Sequence, residues 1–449
     1  MDEARGQSRE GDARRELGFW MCLALVIGNV IGSGVFLLPA ALAPFGWNAI
    51  FGWLVTIAGA LCLAFVFASL SRAIPRAGGP YAYTHAAFGE GAAFAVAWSY
   101  WISVWTACAA IAVAAVSYLS LFFPGVAVAP AVFAIGCVWV LTIVNCLSIR
   151  AAGTVQVLTT LLKLLPLAAA IIISAAVLGS GEPVAAGPFD AKAISASAIT
   201  TSATLTLWAM LGFESAAVSA RTVRDPARTI PRATLAGTFV AGLVYLLACT
   251  GIALLLPADI AAQSNAPFAD FAEAYVGREA AMAVGLFAAI SALGALNGWV
   301  LVQGELPLAM ARDGVFPRWF AKTSAAGTPV RVQILSSSLI TFLIIANYSR
   351  SMSELFVFMA LLSTAITLIA YLACSAAALR LMKTHVIVSS RPLVVTAILG
   401  LIYSIWTLYG AGAEAVGWGG ALLASGIPLW LLHRRKRVIR APAEAVPPE

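Results

Sequence analysis

Long apolar runs recur from one end of the chain to the other, separated by short turns that carry most of its charge. At ~20 residues each, such runs match the length of a helix that crosses a bilayer. The pattern predicts helices near 18–41, 46–71, 91–122, 130–149, 156–178, 193–219, 234–256, 280–310, 332–347, 354–379, 392–412 and 415–433. Arg-rich turns mark one set of loops. Pro, Gly and Ser clusters, such as Phe123-Pro124-Gly125 and the stretch from Gly179 to Phe189, mark the other.

Two of these runs are interrupted. In the first, Gly28-Asn29-Val30-Ile31-Gly32-Ser33-Gly34-Val35-Phe36-Leu37-Leu38-Pro39 places three glycines close together where a helix should continue, and glycine is unfavourable in a helix interior. A break there frees backbone N–H and C=O groups that only protein, water or a ligand can satisfy at membrane depth, so it predicts a binding site. One half-helix offers its positive end to an anion and the unwound carbonyls face a cation, which suits a zwitterion such as an amino acid. Close helix packing of the GxxxG kind is the alternative, since Gly28 and Gly32 have that spacing too. The sixth run is interrupted by Gly212 and Glu214 within Trp208-Ala209-Met210-Leu211-Gly212-Phe213-Glu214-Ser215. A second break five spans after the first predicts an all-α fold of twelve transmembrane helices, with two inverted five-helix repeats at 18–178 and 193–379. Helices 11 and 12, at 392–433, would then be peripheral and offer a dimer face, with tails at 1–17 and 434–449.

Composition excludes a soluble globular protein, because 61% of the 449 residues are hydrophobic, only 10% are charged and the mean hydropathy is +0.93. The net charge of +7 does not point to nucleic acid, since 23 of the 27 Lys and Arg residues fall on one side of the predicted spans. That asymmetry is the positive-inside rule and predicts two cytoplasmic termini in a cell-membrane protein. The N-terminal tail, Met1 to Glu16, lacks the basic region, short apolar core and cleavage site of a signal peptide, so the first span is expected to be retained. The seven cysteines lie in apolar spans without metal-ligand spacing and read as buried free thiols. His85, His385 and His433 lie in loops or at span ends, which disfavours an intramembrane enzyme, and no phosphate-binding loop supports an ATP-driven pump. A channel would need a continuous polar pore, whereas the polar residues cluster around the two breaks. No cofactor or metal is expected.

Among fully charged residue types, only Lys163, Glu214 and Glu305 sit well inside predicted spans, where each costs ~2.5–3.5 kcal/mol at a helix centre. Each is therefore a candidate for function. Glu214, at the second break, is placed to hold a gate or carry a proton, with Tyr100 and Tyr371 as candidate partners. Lys163 is placed to satisfy carbonyls freed by the first break, in the position of a bound cation; a boundary shift of one turn would make it interfacial instead. Glu305 precedes Arg312 and Asp313, so a structural ion pair with a basic loop competes with a transport role. Trp208 and Trp299 lie near the predicted midplane and can meet a cation through their ring faces, although ordinary packing accounts for most tryptophans. On the third span, Tyr100, Val104, Cys108 and Ile111 recur at helical spacing and are expected to share one face.

These residues resemble the amino acid-polyamine-organocation transporters, and within them the basic amino acid/polyamine antiporters. The resemblance rests on the Gly28–Pro39 motif, Pro75-Arg76-Ala77-Gly78-Gly79-Pro80-Tyr81-Ala82-Tyr83, Leu207-Trp208, Gly212-Phe213-Glu214-Ser215 and Gly298-Trp299, and on Asp313-Gly314-Val315-Phe316-Pro317 and Gly327-Thr328-Pro329. It implies a homodimer, embedded in lipid, that carries a small amino acid or amine by alternating access. It also implies that Val30, Ser33 and Gly34, with Asn29 beside them, meet the substrate's amino and carboxylate groups while Trp208 and Leu211 line the site. Trp299 and Ser363 would form a middle gate, and Tyr100, Glu214 and Tyr371 a distal one. Two departures stand out. Antiporters of the arginine/agmatine type carry an asparagine where this chain has Cys108 and a cysteine where it has Val104, so loss of polar contacts makes a smaller or neutral amino acid credible. Lys163 looks like the fifth-helix lysine of sodium-independent, proton-linked amino acid transporters, which makes it a proton- or cation-site candidate. The expected function is a sodium-independent amino acid/amine antiporter of the arginine/agmatine type, with proton-coupled uptake or exchange of a neutral or small amino acid as the alternative.

Overall fold

The computed structural model describes residues 18–74, 79–147, 162–181, 183–214, 223–324, 327–347 and 349–432. Both predicted tails, the motif residues Pro75 to Gly78, the start of the fifth predicted span and Ser215 lie outside the described residues, as does the side chain of Ser33.

The fold of the described residues is helical, as the apolar runs require of a chain whose backbone must satisfy itself in lipid. The principal helices are α1 (Phe19–Val30), α2 (Trp47–Ala73), α3 (Pro80–Phe88), α4 (Glu90–Leu119), α5 (Pro130–Leu147), α6 (Leu164–Gly179) and α7 (Ala196–Met210). After them come α8 (Pro226–Leu255), α9 (Pro267–Tyr275), α10 (Arg278–Arg312), α11 (Val330–Ala346), α12 (Met352–Lys383), α13 (Arg391–Gly410) and α14 (Gly412–Leu432). Among the described residues, nine helical segments are long and apolar enough to cross a membrane, and α6 and α11 are shorter apolar helices. This is a polytopic membrane protein.

Burial sorts the helices into layers. Of their most apolar windows, 94% is buried in α4 and 78% in α12, against 33% in α13 and 17% in α14. So α4 and α12 form the centre, while α13 and α14 lie at the periphery. A helix that is apolar all round belongs in such a centre. Around that centre the helices are pinned by polar bonds: Thr56 of α2 bonds Thr206 of α7 at 2.7 Å, and Thr142 of α5 bonds Ser337 of α11 at 2.7 Å.

Two helices depart from the sequence reading. The short α3 begins with Pro80 at its first turn, where the missing N–H is harmless, and occupies a stretch expected to be a loop. Likewise α9 forms within the connection between the seventh and eighth spans. Among the described residues the sixth predicted span, 193–219, is helical over Ala196–Met210 and interrupted from Leu211, within the Trp208–Ser215 stretch where the break was expected. Of the seven free cysteines, Cys22, Cys108, Cys249 and Cys374 are buried as expected, whereas Cys62, Cys137 and Cys146 are only half-buried.

Candidate functional site

The first break begins at a redirected donor. In a continuous helix the Gly32 N–H would bond the Gly28 carbonyl four residues back. Here it turns to the Val30 carbonyl at 2.7 Å, and Ser33–Leu37 continues as a tight 3₁₀ turn before Leu38–Leu42 resumes the α-helix. Two side chains from other helices satisfy the exposed carbonyls. Lys163, buried at the start of α6, donates its ammonium to the Gly28 oxygen. Tyr245 of α8 donates its hydroxyl to the Val30 oxygen at 2.8 Å. Sequence reasoning missed Tyr245, whose signal was a lone tyrosine in an apolar run.

The second break ends α7 with Leu211 in extended backbone and Gly212 at φ +106, a conformation that favours glycine. Gly212 also crosses the first break closely: a Cβ there would lie 3.2 Å from the Asn29 carbonyl oxygen. The two breaks therefore pack on each other.

A narrow cavity lies between them and the central helices. The broken first span contributes Asn29, Val30, Gly32 and Gly34, and the second break contributes Trp208, Ala209, Leu211 and Glu214. From α4 come Tyr100, Ser103, Val104, Ala107 and Ile111; Trp299 of α10 and Ser363 and Thr367 of α12 complete it. Its free volume, about 40 Å³, is well below the several hundred Å³ of ordinary small-molecule sites, so this conformation is constricted. The Trp208 ring lies directly against Gly34, in space that any β-carbon at Gly34 would need, and packs edge-on to Phe356 with centroids 5.1 Å apart.

At one end of the cavity Glu214, 1% exposed, accepts a hydrogen bond from each of two tyrosines. Tyr100 donates to its Oε1 at 2.9 Å and Tyr371 to its Oε2 at 2.8 Å. The carboxyl group thus ties α7 to both central helices. Tyr371 does this from behind and is not itself a lining residue. Ser363 adds a second tie, donating from α12 to the Ser103 carbonyl of α4 at 2.9 Å.

One expectation needs correction, and one open alternative is narrowed. Cys108 is fully buried and does not line the cavity. At about 100° per residue, Ala107, Ile111 and Val104 all fall within about 40° of Tyr100 round α4, whereas Cys108 falls about 80° away. Ala107 and Ser103 occupy the wall instead. Glu305 forms no ion pair with any described residue, and its Oε1 has no hydrogen-bond partner among them. Arg312 stands seven residues further along the same helix, about 10 Å away along its axis.

Among the described residues no group of histidine, cysteine and carboxylate side chains has the arrangement of a metal site. What the cavity offers is aromatic ring faces, one carboxyl group and the backbone of two broken helices.

The model of the amino acid permease family matches residues 17–425. The chain is similar to the cadaverine/lysine antiporter of Escherichia coli K12, with 36% identity over 340 residues, 74% of each chain. It is also similar to the putrescine transporter of Haemophilus influenzae, with 30% identity over 430 residues that cover 93% of this chain and 96% of that one.

Proposed function

This chain belongs to the amino acid permease family, and from that premise we propose that it is a secondary antiporter exchanging a basic amino acid for an amine across the cell's inner membrane. The observation that carries this reading is Glu214, a buried carboxyl group at the end of a cavity bounded by Trp208 and Trp299. A cationic side chain or amine is attracted to ring faces and to a carboxylate, and the exposed backbone of the first break suits an α-amino-carboxylate group. The names of the two relatives, one an antiporter of lysine and cadaverine and one a putrescine transporter, point the same way. Arginine and agmatine belong to the same chemical class and remain the first pair to test.

In this reading the chain has twelve transmembrane helices in two inverted repeats, 18–178 and 193–379, with both termini cytoplasmic and α13 and α14 available as a homodimer face. Trp208 and Leu211 line the substrate site, Trp299 with Ser363 acts as the middle gate, and Tyr100, Glu214 and Tyr371 act as the distal one. The Lys163 ammonium meets the Gly28 carbonyl of the first break, which supports exchange without sodium.

A second reading, proton-linked uptake of a small neutral amino acid, is favoured by one feature: Val104, Ala107 and Ile111 make most of the α4 wall apolar and themselves offer a guanidinium no side-chain hydrogen bond. Proteoliposomes preloaded with lysine, cadaverine, arginine, agmatine, putrescine, a neutral amino acid or nothing separate the two. Antiport predicts uptake of labelled basic amino acid only into vesicles holding a basic amino acid or an amine, at equal rates in sodium and potassium buffers. Uptake of a neutral amino acid into empty vesicles under an inward proton gradient would overturn it.

The Gly34–Trp208 contact gives a sharper test of the site. In Gly34→Ala the new methyl group displaces the indole, and such overpacking costs about 1–3 kcal/mol. Apparent substrate affinity is expected to fall at least about fivefold by equilibrium binding. Unchanged affinity would remove Trp208 from the site.

A further inference from the structure

A second cavity, of about 470 Å³, lies on the far side of α4, walled by α4, α11, α14 and the turn Arg318–Ala321. On α4 it is lined by Trp98, Trp101 and Trp105, at the i, i+3, i+7 spacing of one helix face. That face is about 100° or more round the helix from Tyr100. Leu335 and Leu339 of α11 and Leu422 and Leu429 of α14 form the opposing walls, and Trp319 and Phe320 close one end.

The cavity is built to stay open. Trp98 donates its indole N–H to the Leu422 carbonyl at 3.1 Å, and its ring occupies the space left by Gly426 of α14. Trp101 donates to the Ser336 hydroxyl at 3.1 Å and stands edge-on to Phe320 with centroids 5.6 Å apart. With these rings pinned to three separate elements, neighbouring side chains cannot collapse into the space, and its lining forfeits dispersion contacts unless hydrocarbon fills it. From Trp98 to Trp105 the track runs about 10 Å along a membrane-spanning helix, which suits an extended acyl segment.

Charge at one end says which lipid. Arg331, Leu335 and Leu339 stand at i, i+4, i+8, so an exposed guanidinium lies one turn beyond the apolar track on the same face of α11. Arg318 and Lys322, both exposed, flank Trp319 and Phe320 in the turn that closes the cavity. These three exposed cations, two flanking the turn that lines the cavity and one a turn beyond the leucines of α11, match a phosphate headgroup that carries net negative charge. We propose that this cavity binds one acyl chain of an anionic phospholipid, with its headgroup held by Arg331, Arg318 and Lys322. Because α4 carries Tyr100 on its other face, the bound lipid braces the same helix that positions Glu214.

The test is independent of transport. Purified full-length protein is equilibrated with phosphatidylglycerol or phosphatidylcholine of identical acyl chains, and retained lipid is counted by native mass spectrometry. Preferential retention of phosphatidylglycerol is expected, with a loss of about fivefold in Arg331→Gln and loss of the preferred lipid in Leu335→Trp, whose indole fills the track. Should Leu335→Trp fail to fold, Leu429→Trp blocks the same space from α14. Equal retention of the two lipids, or retention unchanged by these substitutions, overturns the proposal. So does a shift from dimer to monomer in the filled variants without any change in lipid, which would make a second copy of the chain the occupant.

Discussion

Glu214→Ala is expected to abolish exchange in proteoliposomes while the purified protein stays folded and monodisperse. Glu214 is the shared acceptor for Tyr100 at 2.9 Å and Tyr371 at 2.8 Å, so one substitution removes both ties between the second break and the two central helices. A hydrogen bond to a carboxylate is worth about 1.5–3 kcal/mol, and losing two shifts the balance between closed and open gate by roughly 100-fold or more. A transporter trapped on one side cannot alternate. Tyr100→Phe and Tyr371→Phe each remove one bond and are expected to slow exchange by about tenfold, leaving substrate binding less affected. Glu214→Gln keeps an acceptor for one tyrosine and should fall between these results. Exchange at the wild-type rate in Glu214→Ala would leave the carboxyl group as a structural brace with no part in gating.

Lys163→Ala is the second substitution with a large expected effect. The Gly28 carbonyl loses its helical partner because the Gly32 N–H turns to Val30, and the Lys163 ammonium takes that partner's place. Removing it leaves a buried carbonyl unsatisfied, at about 1–3 kcal/mol, and withdraws a positive charge from the first break. A drop of at least about tenfold in exchange is expected, measured in the same vesicles. Lys163→Met separates charge from bulk, since its unbranched side chain restores packing but donates nothing. If Lys163→Met exchanges normally, Lys163 contributes only its stem, and the sodium-independent reading loses its physical basis.

The glycine spacing in the first span and the Gly212–Glu214 interruption in the sixth were visible along the chain because both are local. A helix that loses its N–H partners, or that must hold a carboxylate in lipid, announces the cost in its own residues. The candidate partners of Glu214, Tyr100 and Tyr371, were matched through the resemblance to the family and not through any local cost. Lys163 was visible as a lysine with no water to reach.

Rotation was not legible. The α4 helix is apolar on every side, so its periodicity cannot separate the face towards the cavity from the face towards its neighbours. Packing against α12 and α10 turns Ala107 inward and Cys108 away, and opposite that wall it leaves the three tryptophans to line a second cavity. Tyr245 belongs to the same class, because its role depends on a carbonyl 215 residues away in sequence. For Glu305 the chain leaves open an ion pair with a basic loop or a transport role, and among the described residues it forms no ion pair. The sequence by itself determined that the chain crosses a membrane as helices and where those helices must break, since hydrophobic run length, glycine and intramembrane charge are properties of single segments. Only the tertiary structure decided which faces meet, because in a chain this uniformly apolar the choice among faces is made by shape and by the few polar atoms that must find one another.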